Sequence, residues 1–555
     1  MDTNAALQYS SHNDTTPIWT ANIAPIENEY YKVGVQCKRC SLQIAYLKER
    51  AESAYWQSMH KRATEREQKL KVEIEELTAK LRLRERQLFA AKTEKNTNSN
   101  HIGLSKSDDN KRKRGQQTGK PGHGRRIHRD IPVLEDFCKL SDKERCCPQC
   151  GLVYKEIDST EDSEEIVVAV SAHIRRIKRK KYIRGCQCKN VPVIITAPPP
   201  PKLIPRGILG ISVWVMILLD KYLSYRPTHR LLEQLRLHGI DIPQGTLTGG
   251  LKKLAPLFEP VLEGIRQKHL TEKRWHADET RWLVFQAVEN KIGYRWYMWV
   301  FISKSTVIYK LDESRSSKVP HQHFATIDEG VLIVDRYSAY KKLIRFVNIL
   351  LAFCWAHVRR DFISVAKDWP KLEGWAVQWI QSIGALYYLN GLRITKGNNT
   401  QGHIDADAQL RAKIKEMEQQ RDDELAQCNL HPACRKTLRS LKRHWEGLTL
   451  FVDRPEIPRD NNEAERRERL AVLGRKNYYG SGSVWSGHLA ATMFSIFQTL
   501  ALCGINSQLW LTAYLQACAD NGGKAPEDLA SFLPWNMTDE QRRVFAVRGK
   551  TKASS

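Results

Sequence analysis

The chain has 555 residues and a formal net charge of +26 at pH 7, because its 88 lysine and arginine residues outnumber its 62 aspartate and glutamate residues. The length exceeds one compact core and predicts about three or four domains. The charge indicates a polyanionic partner, with nucleic acid the first choice and a merely basic, soluble protein the alternative. The 13 cysteines, an odd number without a secretion signal, argue against disulfides and favour reduced thiols and metal binding.

The N-terminal region begins with a polar segment and continues into a long helical pattern. Residues 1–35 lack the basic start and apolar core of a signal peptide, so we expect a mobile tail and a cytoplasmic, nucleoid-associated protein. Residues 36–93 are predicted to form a coiled coil and hence to support a homo-oligomer. The apolar seam, which Arg84 interrupts, consists of Leu70, Ile74, Leu77, Leu81 and Leu88. A single amphipathic helix docked on the body of the protein is the alternative.

A basic linker follows at residues 94–130. It is rich in Asn, Ser and Lys and then in Gly, Pro and basic residues, which prevent regular structure and favour extension along phosphates. The residues predicted to contact DNA are Lys111, Arg112, Lys113, Arg114, Arg125 and Arg126. A solvated linker without DNA contacts is the competing interpretation.

Residues 131–196 hold two close cysteine pairs and are predicted to form a zinc-binding domain. The four candidate ligands are Cys147, Cys150, Cys186 and Cys188. Two pairs of thiolates are the ligand set of a closed structural Zn²⁺ site, and reduced structural cysteines are the alternative. Cys146 is a substitute for Cys147. A further pair, Cys37 and Cys40, has no obvious partner pair and is either incidental or half of a site shared between subunits.

Residues 197–270 are predicted to be a helical DNA-binding region behind a proline spacer. The apolar run 208–219 is broken by Gly210 and Ser212 and is too short to span a bilayer, so it predicts a buried helix and no membrane partner. Two short helices around Gly239 suit a helix-turn-helix. Paired helices are common, so this pattern alone does not separate DNA binding from ordinary packing.

From residue 271 the pattern changes to strands and then back to helices. The predicted strands are residues 282–287, 294–302, 306–310, 331–334 and 349–354. They make residues 271–365 the first part of a core, residues 366–455 a helical insertion, residues 456–520 the second part of the core and residues 521–555 a C-terminal tail. The predicted fold class is therefore multidomain α+β with a mixed α/β core.

Three acidic residues occur in settings that suit metal-dependent chemistry. Asp278 lies in an aromatic and β-branched run, Asp335 ends an apolar run, and Glu465 follows a helix-start signature. A charge at the end of a buried strand costs free energy unless it is paired or binds a cation. Two strand carboxylates and one helix carboxylate suit a pair of magnesium ions about 3.5–4 Å apart, the arrangement that drives in-line phosphoryl transfer.

Other acids compete for these three positions. Glu279 directly follows Asp278, and the alternation of residues along the strand slightly favours Asp278 as the metal ligand. Near the third acid, Asp460 is better explained as a helix cap. Glu463 and Glu465 are two residues apart and cannot share a helix face, and Glu468 is a further competitor. Surface charge or capping explains each acid taken singly.

Four motifs resemble the insertion-sequence-66 family of bacterial transposases. They are His-Ala-Asp-Glu-Thr (276–280), Val-Asp-Arg-Tyr-Ser-Ala-Tyr (334–340), Cys-Trp-Ala-His-Val-Arg-Arg-Asp-Phe (354–362), and Asp-Asn-Asn-Glu-Ala-Glu-Arg (460–466) with Gly-Arg-Lys-Asn (474–477). The resemblance extends from the linker near residue 111 to about residue 518. It implies a DDE transposase core of ribonuclease-H-like fold whose acids are Asp278, Asp335 and Glu465, and it decides against Glu463.

The resemblance also implies partners and cofactors. Double-stranded DNA, as transposon ends and as target, would be cleaved and joined with Mg²⁺ or Mn²⁺ at the three acids and without a covalent enzyme intermediate. Element-encoded helper proteins are further partners. The rivals are a DNA-binding regulator that keeps the fold without catalysis and a structure-specific nuclease that cuts without joining.

Basic residues near the acids are candidates for holding DNA. His357, Arg359 and Arg360 follow an apolar strand and are predicted to start a helix near the metal site and to orient a scissile phosphate, since guanidinium forks match phosphate geometry. Ordinary packing and surface charge explain these three residues equally well. Arg475 and Lys476 precede a Tyr-Tyr-Gly-Ser-Gly-Ser loop that suits contact with the DNA backbone, although core tyrosines are just as common.

Overall fold

The structure is a computed structural model that describes residues 38–89, short pieces between residues 135 and 196, and residues 197–547 apart from 290, 398 and 399. The chain divides into two compact units, Met1–Lys95 and Asn96–Ser555. The basic residues of the linker lie outside the described residues, so their DNA contacts stay a prediction.

The first unit consists, in its described part, of one long helix. α1 (Lys38–Phe89) runs for 52 residues. The four seam residues whose side chains are described are between 49% and 62% exposed, namely Leu70, Ile74, Leu77 and Leu81. Apolar side chains at this spacing are those that a partner helix covers in a coiled coil. The helix is confirmed, and self-association through it stays a prediction.

A small antiparallel hairpin lies in the predicted zinc-binding segment of the second unit. β1 (Lys181–Ile183) pairs with β2 (Ile194–Thr196). Cys150 is exposed at the end of a turn. The other three predicted zinc ligands lie outside the described residues, namely Cys147, Cys186 and Cys188. The zinc site therefore stays a prediction.

In the described part of the second unit, four α-helices precede the central sheet. They are α2 (Ile211–Tyr222), α3 (Thr228–Leu237), α4 (Gln244–Leu254) and α5 (Glu259–Leu270). The apolar run forms α2, which is buried as predicted, with Ile217 and Leu218 fully inaccessible. Gly239, at a φ of +74°, turns the chain between α3 and α4, because a left-handed backbone favours glycine. A Cβ atom on Gly250 would lie 1.9 Å from the Trp214 ring, so α2 and α4 are in close contact.

A mixed five-stranded sheet lies at the centre of the second unit. Its strands are β3 (Arg274–Leu283), β4 (Arg295–Ile302), β5 (Val307–Asp312), β6 (Gly330–Val334) and β7 (Ile349–Phe353). They lie in the order β5-β4-β3-β6-β7, antiparallel from β5 to β3 and parallel from β3 to β7. Five strands are thus found where five were predicted.

The bounds of the first predicted strand, residues 282–287, are wrong. The strand begins at Arg274 and ends at Leu283. Beyond that point the chain turns to a distant loop, where the amide of Ser481 donates to the carbonyl of Leu283 at 2.8 Å. The aromatic pattern of the sequence continues past the end of the strand, where Val284 forms an isolated bridge with Ser481.

Helices cover both faces of the sheet. α6 (Lys318–Phe324) and α7 (Ser338–Leu343) lie between strands, and the predicted insertion contains helices after β7. The first of them, α8 (Trp355–Asp368), leads into the insertion. The others are α9 (Glu373–Thr395), α10 (Gln401–Ala426), α11 (Pro432–Arg443) and α12 (Trp445–Asp453). The chain returns through α13 (Asn462–Tyr478), α14 (Val484–Leu502), α15 (Ser507–Asp520) and α16 (Asp539–Val544).

Two hydrophobic cores lie on opposite faces of the sheet. Trp282 and Met298 pack with α2–α5 and α13–α15, whereas Trp275 and Phe301 pack with α6–α12. Strand alternation accounts for this division, since successive side chains point to opposite faces. The segment predicted as a tail also contributes to the first core, because Phe545 is buried there.

Candidate active site

The candidate active site forms where β6 ends beside β3. Trp275 lies opposite Leu332 and His276 opposite Ile333 in this parallel pair. Continuing the register by two residues brings Asp278 beside Asp335, the residue that follows β6. Neighbouring strands lie about 4.8 Å apart, so the structure brings the two predicted strand acids together.

Asp278 is a half-buried carboxyl with other acids around it. Burial raises its pKa well above the usual range, and Glu468, Glu279 and Asp335 raise it further. The amide of Glu279 donates to Asp278 Oδ1 at 2.9 Å, and the amide of Tyr337 donates to Asp335 Oδ1 at 2.9 Å. The backbone therefore orients both carboxylates, while their mutual repulsion favours a cation between them.

Glu279, the alternative to Asp278, is committed to other partners. Its side chain is 1% exposed and pairs with Arg315, with Nη2 at 2.6 Å from Oε1. The Tyr340 hydroxyl donates to the other carboxylate oxygen at 2.5 Å. Both oxygens are therefore used within the protein, which favours Asp278 as the acid that is open to a ligand.

Glu465 lies in the first turn of α13 and is held by α8. Arg360 Nη2 donates to both carboxylate oxygens, at 3.0 and 2.9 Å. His357 Nε2 lies 3.8 Å from Glu465 Oε1. The sequence predicts Asp460 as the cap of this helix, but Asn461 is the N-cap residue. Asp460 lies one residue earlier, and its Oδ1 accepts a hydrogen bond from the amide of Asn462 at 3.1 Å.

Glu468 is a second acid on the same face of α13. Residues three apart on a helix are neighbours, so Glu468 lies one turn beyond Glu465. The Thr280 hydroxyl donates to it, and burial raises its pKa. It is the charged group that most raises the pKa of Asp278. In contrast, Glu463 pairs with Arg467, at 3.2 Å, away from this cluster.

A second set of potential ligands adjoins the carboxylates. Cys354, His357 and Glu465 have ligand atoms within 4.8 Å of one another. Burial lowers the pKa of His357, and the adjacent Arg360 lowers it further. Sulfur and nitrogen ligands suit softer metals, whereas carboxylates alone suit Mg²⁺ or Mn²⁺. The sequence pattern predicts a role for His357 near the metal site but does not predict this set, because Cys354 and His357 lie far from Glu465 in sequence.

Comparison with known proteins identifies the family of the chain. The family model described as "Transposase IS66 family" matches residues 206–489, which is more than half of the chain. The chain belongs to this family. The matched region begins before α2 and ends within α14, so it contains Asp278, Asp335, Glu465 and Glu468.

Relatives of this IS66-family chain occur in Sinorhizobium fredii. "Uncharacterized protein y4jD" is 27% identical over 430 residues, covering 72% of this chain and 80% of its own length. "Uncharacterized protein y4hP" is 26% identical over 417 residues, covering 70% of this chain and 72% of its own length. Family membership supports a transposase role, DNA processing and the use of a divalent metal.

The predicted DNA-binding residues of the IS66-family chain differ in their surroundings. Arg359 is partly exposed, and Lys476 is exposed. Arg475 is turned inward instead, and its Nη1 donates to Thr280 Oγ1 at 3.2 Å and to the carbonyl of Arg281. Among the described residues, no helix combines the length and the apolar character that a bilayer-spanning segment needs.

Proposed function

We propose that this chain is a DNA transposase that cleaves transposon ends and joins them to target DNA through Asp278, Asp335 and Glu465. The observation that carries the proposal is the register that brings Asp278 beside Asp335, with Glu468 of α13 close to Asp278. The strand order, with three antiparallel and two parallel strands, supports a ribonuclease-H-like core interrupted by the helical insertion α9–α12.

The residues present fit a divalent cation. A half-buried carboxyl with raised pKa and like-charged neighbours is stabilised by a cation, and carboxylate oxygens are the ligands that Mg²⁺ and Mn²⁺ prefer. Asp278, Asp335 and Glu465 would hold the metal. A pair of such ions supplies activation of water or a 3′-hydroxyl and stabilisation of the leaving oxygen.

The protein's own residues orient this chemistry. Backbone amides fix one oxygen each of Asp278 and Asp335, which leaves the other oxygen of each carboxylate to face a ligand. Arg360 brings a guanidinium to the same site, where it is placed to orient a phosphate once it leaves Glu465. Glu468 adds negative charge next to Asp278 and thereby strengthens attraction of a cation.

The remaining parts of the proposal concern assembly and DNA capture. We expect homo-oligomers through α1, a structural Zn²⁺ on the paired cysteines, DNA contacts from the basic linker and α3–α4, and helper proteins encoded by the element. A net charge of +26 supports a DNA partner. A protein that works on DNA of the nucleoid would act in the cytoplasm.

The test is Mg²⁺-dependent cleavage and joining of labelled transposon-end DNA. Wild type should cut and join, whereas Asp335→Asn should bind the DNA and fail to cut. Asp328→Asn is the matched control, since this exposed acid precedes the same strand. Cutting without joining would favour the nuclease. Tight binding by all three proteins without cuts, with helper proteins supplied, would favour the regulator.

A further inference from the structure

A cavity of about 400 Å³ adjoins Asp335 on the side of the insertion. Its walls come from the turn after β6, from α7 and α8, and from the end of α11. The charged and titratable side chains that line it include Asp335, Arg336, Lys341, Asp361, Arg443 and His444. The core and the insertion therefore build this space together, next to a proposed catalytic acid.

Hydrogen bonds order one wall of the cavity. Arg336 Nη2 pairs with Asp361 Oδ2 at 2.6 Å, and Arg336 Nη1 donates to Ser440 Oγ at 3.0 Å. His444 Nδ1 lies 2.6 Å from the carbonyl of Ser440, so this nitrogen carries the hydrogen. The other nitrogen, Nε2, then accepts a hydrogen bond from Lys341 Nζ at 3.1 Å. Lys341 is thus held in the cavity by a neutral histidine.

Positive charge is in excess inside the cavity. Three cations, Arg336, Lys341 and Arg443, face two carboxylates, of which Asp361 is paired with Arg336 and Asp335 is assigned to the metal. Within the described part of the chain, neither Lys341 nor Arg443 has a carboxylate at ion-pair distance. Burial lowers the pKa of Lys341, and Arg443 and Arg336 lower it further. Converging cations that repel one another are the arrangement of an anion site.

We propose that this cavity binds one backbone phosphate of the DNA strand beside the phosphate that reacts at Asp335. The inference rests on the proposed function and adds a substrate contact made by the insertion. Phosphate oxygens accept hydrogen bonds from ammonium and guanidinium groups. Lys341 and Arg443 supply one of each, and Asp361 and Ser440 already orient the guanidinium of Arg336. Because α11 supplies Arg443, the insertion binds the DNA strand that the core cleaves.

The first measurement is the salt dependence of DNA binding by the full-length protein. Lys341→Gln and Arg443→Gln should each bind transposon-end duplex about tenfold more weakly. The slope of log K against log salt should fall by about 0.9 for a lost phosphate contact. Lys342→Gln is the control, because it removes the same charge from the exposed neighbouring residue. Thermal unfolding of each variant checks that it folds.

A methylphosphonate scan locates the contact. One neutral linkage near the cleavage position should weaken binding by wild type and by Lys342→Gln, and should have no further effect on Lys341→Gln. The proposed phosphate site is contradicted if Lys341→Gln and Arg443→Gln both bind DNA as tightly as Lys342→Gln does, even where wild type binds and cleaves normally. Wild type that binds no DNA at any salt concentration would overturn the proposed function as well.

Inorganic phosphate at matched ionic strength separates the two sources of the phosphate group. If the cavity holds a phosphate of the DNA backbone, inorganic phosphate and chloride should weaken DNA binding equally. Phosphate that competes with DNA for wild type but not for Lys341→Gln, with no coupled position in the scan, would assign the pocket to free phosphate and overturn the contact with DNA.

Discussion

Arg360 donates from a single nitrogen, Nη2, to both carboxylate oxygens of Glu465, at 3.0 and 2.9 Å. The residues lie on different helices, α8 and α13, and the arginine is partly exposed whereas the glutamate is largely buried. The acid that the family resemblance assigns to the metal is therefore occupied by a cation of the protein itself. Binding of a metal by Glu465 requires this ion pair to open, and a DNA phosphate is a competing partner for the released guanidinium.

Replacing this arginine should strengthen metal binding and lower the maximal rate of cleavage. In Arg360→Ala we expect the Mg²⁺ concentration for half-maximal cleavage to fall about two- to fivefold, the worth of a partly exposed ion pair. The maximal rate should also fall, because the guanidinium no longer orients the phosphate. A metal titration of cleavage measures both, with Lys367→Ala, an exposed cation on the same helix, as control. An unchanged midpoint would show that the pair does not compete with the metal.

The acids of α13 should differ in importance. Glu465→Gln should lower cleavage by at least about a hundredfold through loss of a metal ligand, and Glu468→Gln by about tenfold through loss of a neighbouring charge. Glu463→Gln should cleave normally, because this side chain pairs with arginines of its own helix. Single-turnover cleavage at saturating metal compares the three. If Glu468→Gln were inactive and Glu465→Gln active, Glu468 would be the helix ligand.

The pKa of Asp278, raised above its ordinary value of 3.8 mainly by burial, determines a pH dependence of the metal-free protein. A carboxyl with a raised pKa in the folded state contributes its full stability below that ordinary value and loses it as the pH rises through the folded pKa. In EDTA, Asp278→Asn should therefore unfold at a higher temperature than wild type at about pH 8, and the difference should shrink towards about pH 5.

Metal addition provides the second half of this experiment. Mg²⁺ should raise the melting temperature of wild type at about pH 8 and raise that of Asp278→Asn far less, since a ligand stabilises only the state that binds it. Asp328→Asn, which changes an exposed acid, serves as the control. A variant less stable than wild type across the whole pH range would mean that Asp278 is paired rather than repelled.

The contact between α2 and α4 predicts opposite effects at two adjacent glycines. Gly250→Ala should destabilise the protein by about 1–3 kcal/mol, because its Cβ would meet the Trp214 ring. Gly249→Ala meets no atom within 4 Å and should stabilise the helix by up to about 1 kcal/mol. Denaturant unfolding followed by tryptophan fluorescence measures both changes. Equal effects would show that the helices separate easily at this point.

The local sequence pattern predicts much of the secondary structure of this protein. The apolar run predicts α2, four of the five strands are found close to their predicted positions, and the apolar residues before Asp335 place that acid at the end of β6. These features depend on neighbours in sequence, since the periodicity of side chains along a strand or helix is a local property. The family motifs additionally assign the three candidate catalytic acids, because they include Asp278, Asp335 and Glu465 together.

Tertiary structure alone decided which groups meet. A loop near Ser481 contacts the backbone of Leu283 at the end of β3, and no local signal in the sequence predicts that contact. The rotation of α13 brings Glu468 towards Asp278, and the packing of α8 places Arg360 on Glu465. Packing likewise joins Lys341 to His444, on elements far apart in sequence. Such contacts follow from how whole helices lie on the sheet, which sequence periodicity does not encode.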